Sequence, residues 1–196
     1  LDDNIGYIRC ATFEYGLGSG NLNEILAYFL TSRGLIIDIR NNGGGMISSA
    51  EELAARFTND DILVGYFQHK TGRGHNDFSA MKEQWLHPSR GLRWQKPVVV
   101  LTNRGVYSAA NEFVKYMKCC PNVKIVGDTT GGGAGLPFSS ELPNGWSVRF
   151  SACPIYDKDG QSTEFGIPPD VHAGLNRFDF FSGIDTIIEQ ARKILK

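Results

Sequence analysis

Two stretches constrain the architecture more than anything else in this chain. Gly34-Leu35-Ile36-Ile37-Asp38-Ile39 and Pro97-Val98-Val99-Val100-Leu101-Thr102 are continuous, mostly apolar runs of strand length. A strand that does not alternate apolar with polar residues must be covered on both faces. Each run breaks at a glycine-bearing turn: Arg40-Asn41-Asn42-Gly43-Gly44-Gly45 after the first, Asn103-Arg104-Gly105 after the second. Apolar residues at helical spacing then follow, as Ala50, Leu53, Ala54 and Phe57 in one case and Ala110, Phe113, Val114 and Met117 in the other. Strand, turn and helix repeated in this way predict an α/β fold with a mostly parallel central sheet and helices packed on it.

The remaining chain extends the pattern. Ile5 to Phe13 reads as a strand, Leu22, Ile25, Leu26, Phe29 and Leu30 as a helical stripe, and Val123 to Val126 as a further strand. Beyond Leu142 the sequence turns β-like around Asn144-Gly145 and Asp159-Gly160, both tight-turn pairs. A last helix is expected to open at Ser182, with Asp185 in a variant capping box and Ile184, Ile187, Ile188, Ala191 and Leu195 turned inward. Residues 65–96 break the rhythm. They carry three of the four histidines without clear periodicity, as an irregular insertion or lid would.

Composition excludes several classes. Twenty Lys and Arg against 21 Asp and Glu give a formal charge of −1, which argues against a nucleic-acid binder or a polybasic membrane anchor. The apolar run centred on Val98 to Leu101 is far too short to span a bilayer. Cys10, Cys119, Cys120 and Cys153 lack CxxC spacing and read as free, mostly buried thiols, with a Cys153 bridge as the alternative in an oxidising compartment. His69, His75, His87 and His172 show no zinc-ligand spacing, and no metal is expected. The chain starts at Leu1 without Met or signal peptide, which reads as an excised piece or a matured product.

Chemistry is expected at the two strand–turn–helix junctions, because ligands in open α/β sheets sit outside the carboxyl ends of the strands. Gly43, Gly44 and Gly45 expose backbone N–H groups that could hold an anion or an oxyanion. Ser108 stands at the first turn of the helix after the second run, where a nucleophile could use the following N–H, that of Ala109, as an oxyanion donor. Simpler readings compete: a serine there is most often an N-cap, and three glycines most often make a tight turn. Neither GxGxxG, GxxxxGK[ST] nor GxSxG is present. Asp38 beside Arg40 reads as a structural ion pair, and Asp157-Lys158-Asp159-Gly160 as a hairpin turn. Trp94 and Trp146 read as packing residues.

Four motifs in order turn this outline into a resemblance. Gly34 to Gly45, Pro97 to Glu112, Gly127-Asp128-Thr129-Thr130-Gly131-Gly132-Gly133-Ala134-Gly135 and Gly166-Ile167-Pro168-Pro169-Asp170-Val171 together resemble the C-terminal processing (tail-specific) peptidases and tricorn-type proteases, peptidase family S41. The likeness spans nearly the whole chain. It implies a ClpP/crotonase-like core forming one catalytic domain over residues 1–196, with an N-terminal cap and a PDZ-like segment lying outside this chain. It implies a serine peptidase that cleaves peptide or protein substrates through an acyl-enzyme without a cofactor, in the periplasm or cell envelope. Ser108 would be the nucleophile, with Gly43 or Gly44 and Ala109 as the oxyanion hole.

One motif departs from the pattern. Tail-specific members carry G-x-x-T-x-G-K-G-x-x-Q, with the Lys as general base; here Gly133 and Pro137 replace Lys and Gln, so no Ser–Lys dyad can form. Tricorn-like members use a Ser–His–Ser–Glu tetrad whose Glu precedes Gly-x-x-Pro-Asp, the place of Glu164. The resemblance puts the His and second Ser of that tetrad upstream of this chain. Alternatively His75 or His87 serves as the base, and His75, flanked by glycine, could also contact substrate. Two further readings share the fold: a non-catalytic module binding peptides or apolar ligands, as in retinoid-binding relatives, and crotonase-like acyl-thioester chemistry.

Overall fold

The computed structural model describes residues 3–196. In chain order the elements are β1 (Ile5–Arg9), α1 (Ser19–Tyr28), β2 (Gly34–Asp38), α2 (Ile47–Ala54), β3 (Ile62–Phe67), β4 (Lys82–Leu86), β5 (Val98–Thr102), α3 (Ala109–Cys119), β6 (Val123–Gly127), β7 (Phe138–Glu141), β8 (Ser147–Phe150), β9 (Ile155–Tyr156), β10 (Val171–His172), α4 (Arg177–Phe181) and α5 (Thr186–Ile194). The central sheet has the order β1-β2-β5-β6-β10 and all its pairs are parallel.

The apolar runs become β2 and β5, adjacent strands in the middle of that sheet, with every residue of both buried. Their side chains divide by parity. Leu35, Ile37, Val98 and Val100 join Leu22, Leu26, Leu53, Phe113 and Met117 beneath α1, α2 and α3. Ile36, Val99 and Leu101 face the other way, onto Ile187 and Ala191 of α5 and Leu195 at its C-terminal end. Each such side chain contributes roughly 1.5–3 kcal/mol by leaving water, so both faces of β2 and β5 are held by apolar packing.

The segment 65–96 stands outside the parallel sheet. Its start and middle are ordered by β3 and β4, which pair antiparallel and carry β9 on the far edge of β3. The irregular part narrows to 68–81 and 87–97. The Asn144-Gly145 turn joins β7 to β8, with the Gly145 N–H donating to Leu142 O. At Asp157-Lys158-Asp159-Gly160 the Gly160 N–H donates to Asp157 O in the expected hairpin turn. All four cysteines are free thiols, and burial pushes Cys120 up to about 12.

Three expectations need correction. β1 ends at Arg9 rather than Phe13, because the chain leaves the sheet there to bring Phe13 beside Gly45. The last helix opens at Asp185, whose carboxylate accepts from the N–H groups of Ile187 and Ile188. Ser182 instead ends the short α4, its hydroxyl donating to Phe178 O. Trp94 is buried, but Trp146 is 71% exposed, because the hairpin that bears it projects beyond the core.

Candidate active site

The carboxyl ends of β2 and β5 open into two loops that are laced together. Asn103 Oδ1 accepts from the Asn41 and Gly105 N–H groups, at 2.9 and 3.0 Å, while its amide donates to Asn41 Oδ1. The Tyr107 N–H donates to Asn42 O, and the Ser108 N–H to Gly132 O at 2.9 Å. Three loops therefore converge on Ser108: residues 40–45, 103–108 and 127–135.

Ser108 sits in the N-cap position of α3, yet its hydroxyl caps nothing and has no hydrogen-bond partner among the described residues. Its backbone explains why. At φ 57° and ψ −125° it occupies a region that costs a non-glycine residue roughly 1–3 kcal/mol and is found where surrounding structure enforces it. Here the bonds from its own N–H to Gly132 and from the Glu112 N–H to its carbonyl enforce it. A serine on so sharp a strand-to-helix turn presents Oγ outward instead of folding it back on the helix.

The glycine cluster lies against this turn. Gly44 approaches so closely that a Cβ there would stand 2.8 Å from Ser108 Cβ and 2.9 Å from Ala109 N. The Gly44 N–H is already committed to Asn42 Oδ1 at 2.9 Å. The N–H groups of Gly43 and Ala109 have no acceptor among the described residues. Of the two glycines that the sequence left open, Gly43 is the one with a free donor.

Ser108 opens into a cavity of about 480 Å³ whose other walls include Glu14, Gly43, Tyr107, Gly133, Arg149 and Ser151. None of the histidines lines it. His87 is ion-paired with Asp61 at 2.8 Å in a separate cleft, His69 lies 3.6 Å from Cys153 Sγ, and His172 contacts Gly127 O. His75 lines a neighbouring cavity of about 570 Å³ together with Glu164, Phe78 and Ile155. Glu164 is half-buried there, and its carboxyl is raised above the usual carboxylate value by burial, an effect opposed by a hydrogen bond from Ser151.

At Gly133, where tail-specific sequences have Lys, the backbone is at φ +73° and a Cβ would run into the Tyr107 ring at 2.1 Å. The loop as folded has no room for a side chain. Asp38 plays the structural part expected of it, with Arg9 and Arg40 at 2.8 and 2.7 Å and the Tyr7 hydroxyl at 2.8 Å. Burial alone would push the Asp38 carboxyl up; the hydrogen bonds from Arg40 and Tyr7 outweigh it and hold the group below the ordinary range. Among the described residues, no group of three or more His, Cys, Asp and Glu is arranged to hold a metal, and no helix is long and apolar enough to cross a membrane.

The model of Peptidase family S41 matches residues 4–173. The chain belongs to peptidase family S41. Among curated S41 relatives, it is 27% identical over 176 residues to the carboxy-terminal processing protease CtpA of Bacillus subtilis (strain 168), an overlap of 89% of this chain and 36% of that protein. Among solved structures, a candidate peptidase from Parabacteroides merdae ATCC 43184 superposes with a TM-score of 0.96 at 52% identity, covering 100% of this chain and 62% of that one. Mature CPAF complexed with lactacystin shares the fold, with a TM-score of 0.84 at 16% identity over 98% of this chain and 51% of the other. The chain spans about a third of the length of the curated relatives it matches.

Sequence reasoning did not single out Ser151, Tyr107 or Arg149 on the cavity wall. Ser151 and Arg149 belong to an exposed hairpin without a motif, and Tyr107 reads as part of the turn; only the folded arrangement brings them beside Ser108.

Proposed function

We propose that this chain carries the nucleophile half of a serine peptidase that hydrolyses peptide bonds in peptide or protein substrates through an acyl-enzyme. The observation that carries this reading is the unengaged Ser108 hydroxyl on its enforced turn, beside two N–H groups, of Gly43 and Ala109, that lack acceptors. Ser108 Oγ attacks the scissile carbonyl carbon, the carbonyl oxygen takes the electron pair, and the two amides stabilise the resulting oxyanion. Collapse expels the amine and leaves the acyl group on Ser108, and water then releases it.

A serine hydroxyl titrates far above neutrality, so a base within hydrogen-bond reach is required. Gly133 supplies none, and no histidine lines the Ser108 cavity, which favours a tricorn-like arrangement over a Ser–Lys dyad. The base then comes from a segment outside this chain, and the Glu164 carboxylate orients it. His75, at the wall of the neighbouring cavity, contacts substrate. Residues 65–96 act as a lid over that cavity. The resemblance also supports an extracytoplasmic setting, in the periplasm or cell envelope.

The test is Ser108→Ala in the full-length protein, with a fluorophosphonate probe and labelled casein as readouts. Loss of both signals is expected; undiminished casein cleavage would sink the assignment. Because the Glu164 carboxyl is raised by burial, the rate should fall on acidification at a higher pH than an unperturbed glutamate would give. Glu164→Gln should remove the carboxylate's part of that limb and leave the part due to protonation of the base.

A further inference from the structure

Ser151 is the residue that the two cavities share. It lines the space in front of Ser108 and also the space occupied by Glu164 and His75. Its hydroxyl donates to Glu164 Oε1 at 3.3 Å. It is not the second serine implied by the family resemblance, which would lie upstream; it follows β8 inside this chain.

The backbone around this contact is built to hold it. Gly135 O accepts from both Ala152 and Cys153 N–H at 3.0 Å, which pins the chain just after Ser151. The Gly133 N–H donates to Glu164 O at 2.9 Å, which pins the other partner. Residues 133–135 thus run between the two, and space is tight: a Cβ at Gly135 would lie 2.5 Å from Ser151 Oγ and 3.3 Å from Glu164 Oε2. A side chain there would separate the pair.

We propose that Ser151 is a positioning residue for the reaction at Ser108, its hydroxyl holding the Glu164 carboxylate at the seam between the two cavities. The proposal rests on the role given to Glu164 above. A hydroxyl that donates to a carboxylate favours the charged form. Lys70, Arg73 and His75 line the same cavity as Glu164 and are common to wild type and variant. Removing the Ser151 hydroxyl lets the desolvation already acting on Glu164 dominate, so the carboxylate takes up its proton at a higher pH. Activity that requires the carboxylate is lost as pH falls through that value, and the acidic limb therefore moves to higher pH in the variant.

The experiment is the pH dependence of fluorophosphonate labelling of the full-length protein, for wild type, Ser108→Ala, Ser151→Ala and Ser151→Thr. Labelling breaks the P–F bond and forms a P–O bond to Ser108, fluoride leaving, so its rate reports on the nucleophile without a known substrate. Ser151→Ala should label about five- to tenfold more slowly than wild type below the acidic limb and within about twofold above it. Ser151→Thr should keep the wild-type limb. An unshifted limb in Ser151→Ala overturns the proposal even if the overall rate drops, because a merely structural serine would lower the rate at every pH. Should the Ala variant melt early, Ser151→Cys repeats the test with the volume kept and the donor weakened. Undiminished labelling in Ser108→Ala is a different failure: it removes the peptidase reading itself.

Discussion

The two walls of the Ser108 cavity are made by different means. One wall consists of loops that leave the carboxyl ends of buried parallel strands, and their backbone groups bond to each other: Tyr107 to Asn42, Ser108 to Gly132, Gly131 to Val106. The other is the β7–β8 hairpin, which carries Arg149, Phe150 and Ser151 and pairs with no other strand. Beneath the first wall lie Phe13 and Phe113, fully buried with ring centroids 5.5 Å apart. The second is largely exposed, Phe138 meeting Phe150 edge to face with centroids 4.2 Å apart and Trp146 exposed to solvent. The difference teaches where rigidity is spent. Ser108 and the Gly43 and Ala109 amides inherit fixed geometry from the core, while the wall that carries Ser151 depends on local contacts.

The largest effect should come from the rigid wall. Ser108→Ala in the full-length protein is expected to lower peptide hydrolysis by at least about a thousandfold, with the melting temperature changed by no more than a few degrees. A residual rate near wild type would leave the cavity without its nucleophile and the comparison without its point. Phe113→Ala removes a ring under the same wall and should cost about 3–5 kcal/mol of stability in denaturant titration. A loss below about 1 kcal/mol would show that the core does not support these loops as described.

Gly133→Lys asks whether the first wall could be converted to the tail-specific pattern. The Lys would need a positive φ and the space of the Tyr107 ring, so a loss of about 1–3 kcal/mol is expected, with no gain in Ser108 labelling. Faster labelling would mean that the loop repacks around a Ser–Lys dyad. The smallest effect belongs to the second wall: Trp146→Ala, at the exposed hairpin, should change stability by no more than about 0.5 kcal/mol. A much larger loss would make the hairpin part of the core and erase the contrast.

Acid should separate the regions as well. The Asp38 carboxyl is held low by Arg40 and Tyr7, so its stabilisation is complete above the ordinary carboxylate value near 4 and lost only as pH falls through the lower folded value. Glu164 is raised. Activity should therefore fail before the fold does as pH is lowered, which parallel rate and circular-dichroism titrations would check.

How far the sequence reached follows from the range of the forces involved. The buried strands, the helices on them and the Asn144-Gly145 turn were legible because each depends on neighbours a few residues away. The helix start was misplaced at Ser182 because Ser182 and Asp185 both suit an N-cap; the choice of Asp185 goes with its side chain also reaching Arg40 at 2.8 Å, far along the chain. Trp146 reads as a packing residue because its large apolar side chain suggests burial, while the hairpin's place outside the sheet leaves it in water.

By itself the sequence determined the parallel sheet, the turn that bears Ser108 and the absence of a lysine at position 133. Continuous apolar runs, glycines and a missing side chain are facts of local chemistry. Tertiary structure alone decided that Gly44 spends its N–H on Asn42 while Gly43 keeps one free, that the Ser108 hydroxyl does not cap its helix, and that Ser151 meets Glu164. Hydrogen-bond partners are chosen by which backbones the packed core brings within about 3 Å, and no spacing in the chain records that.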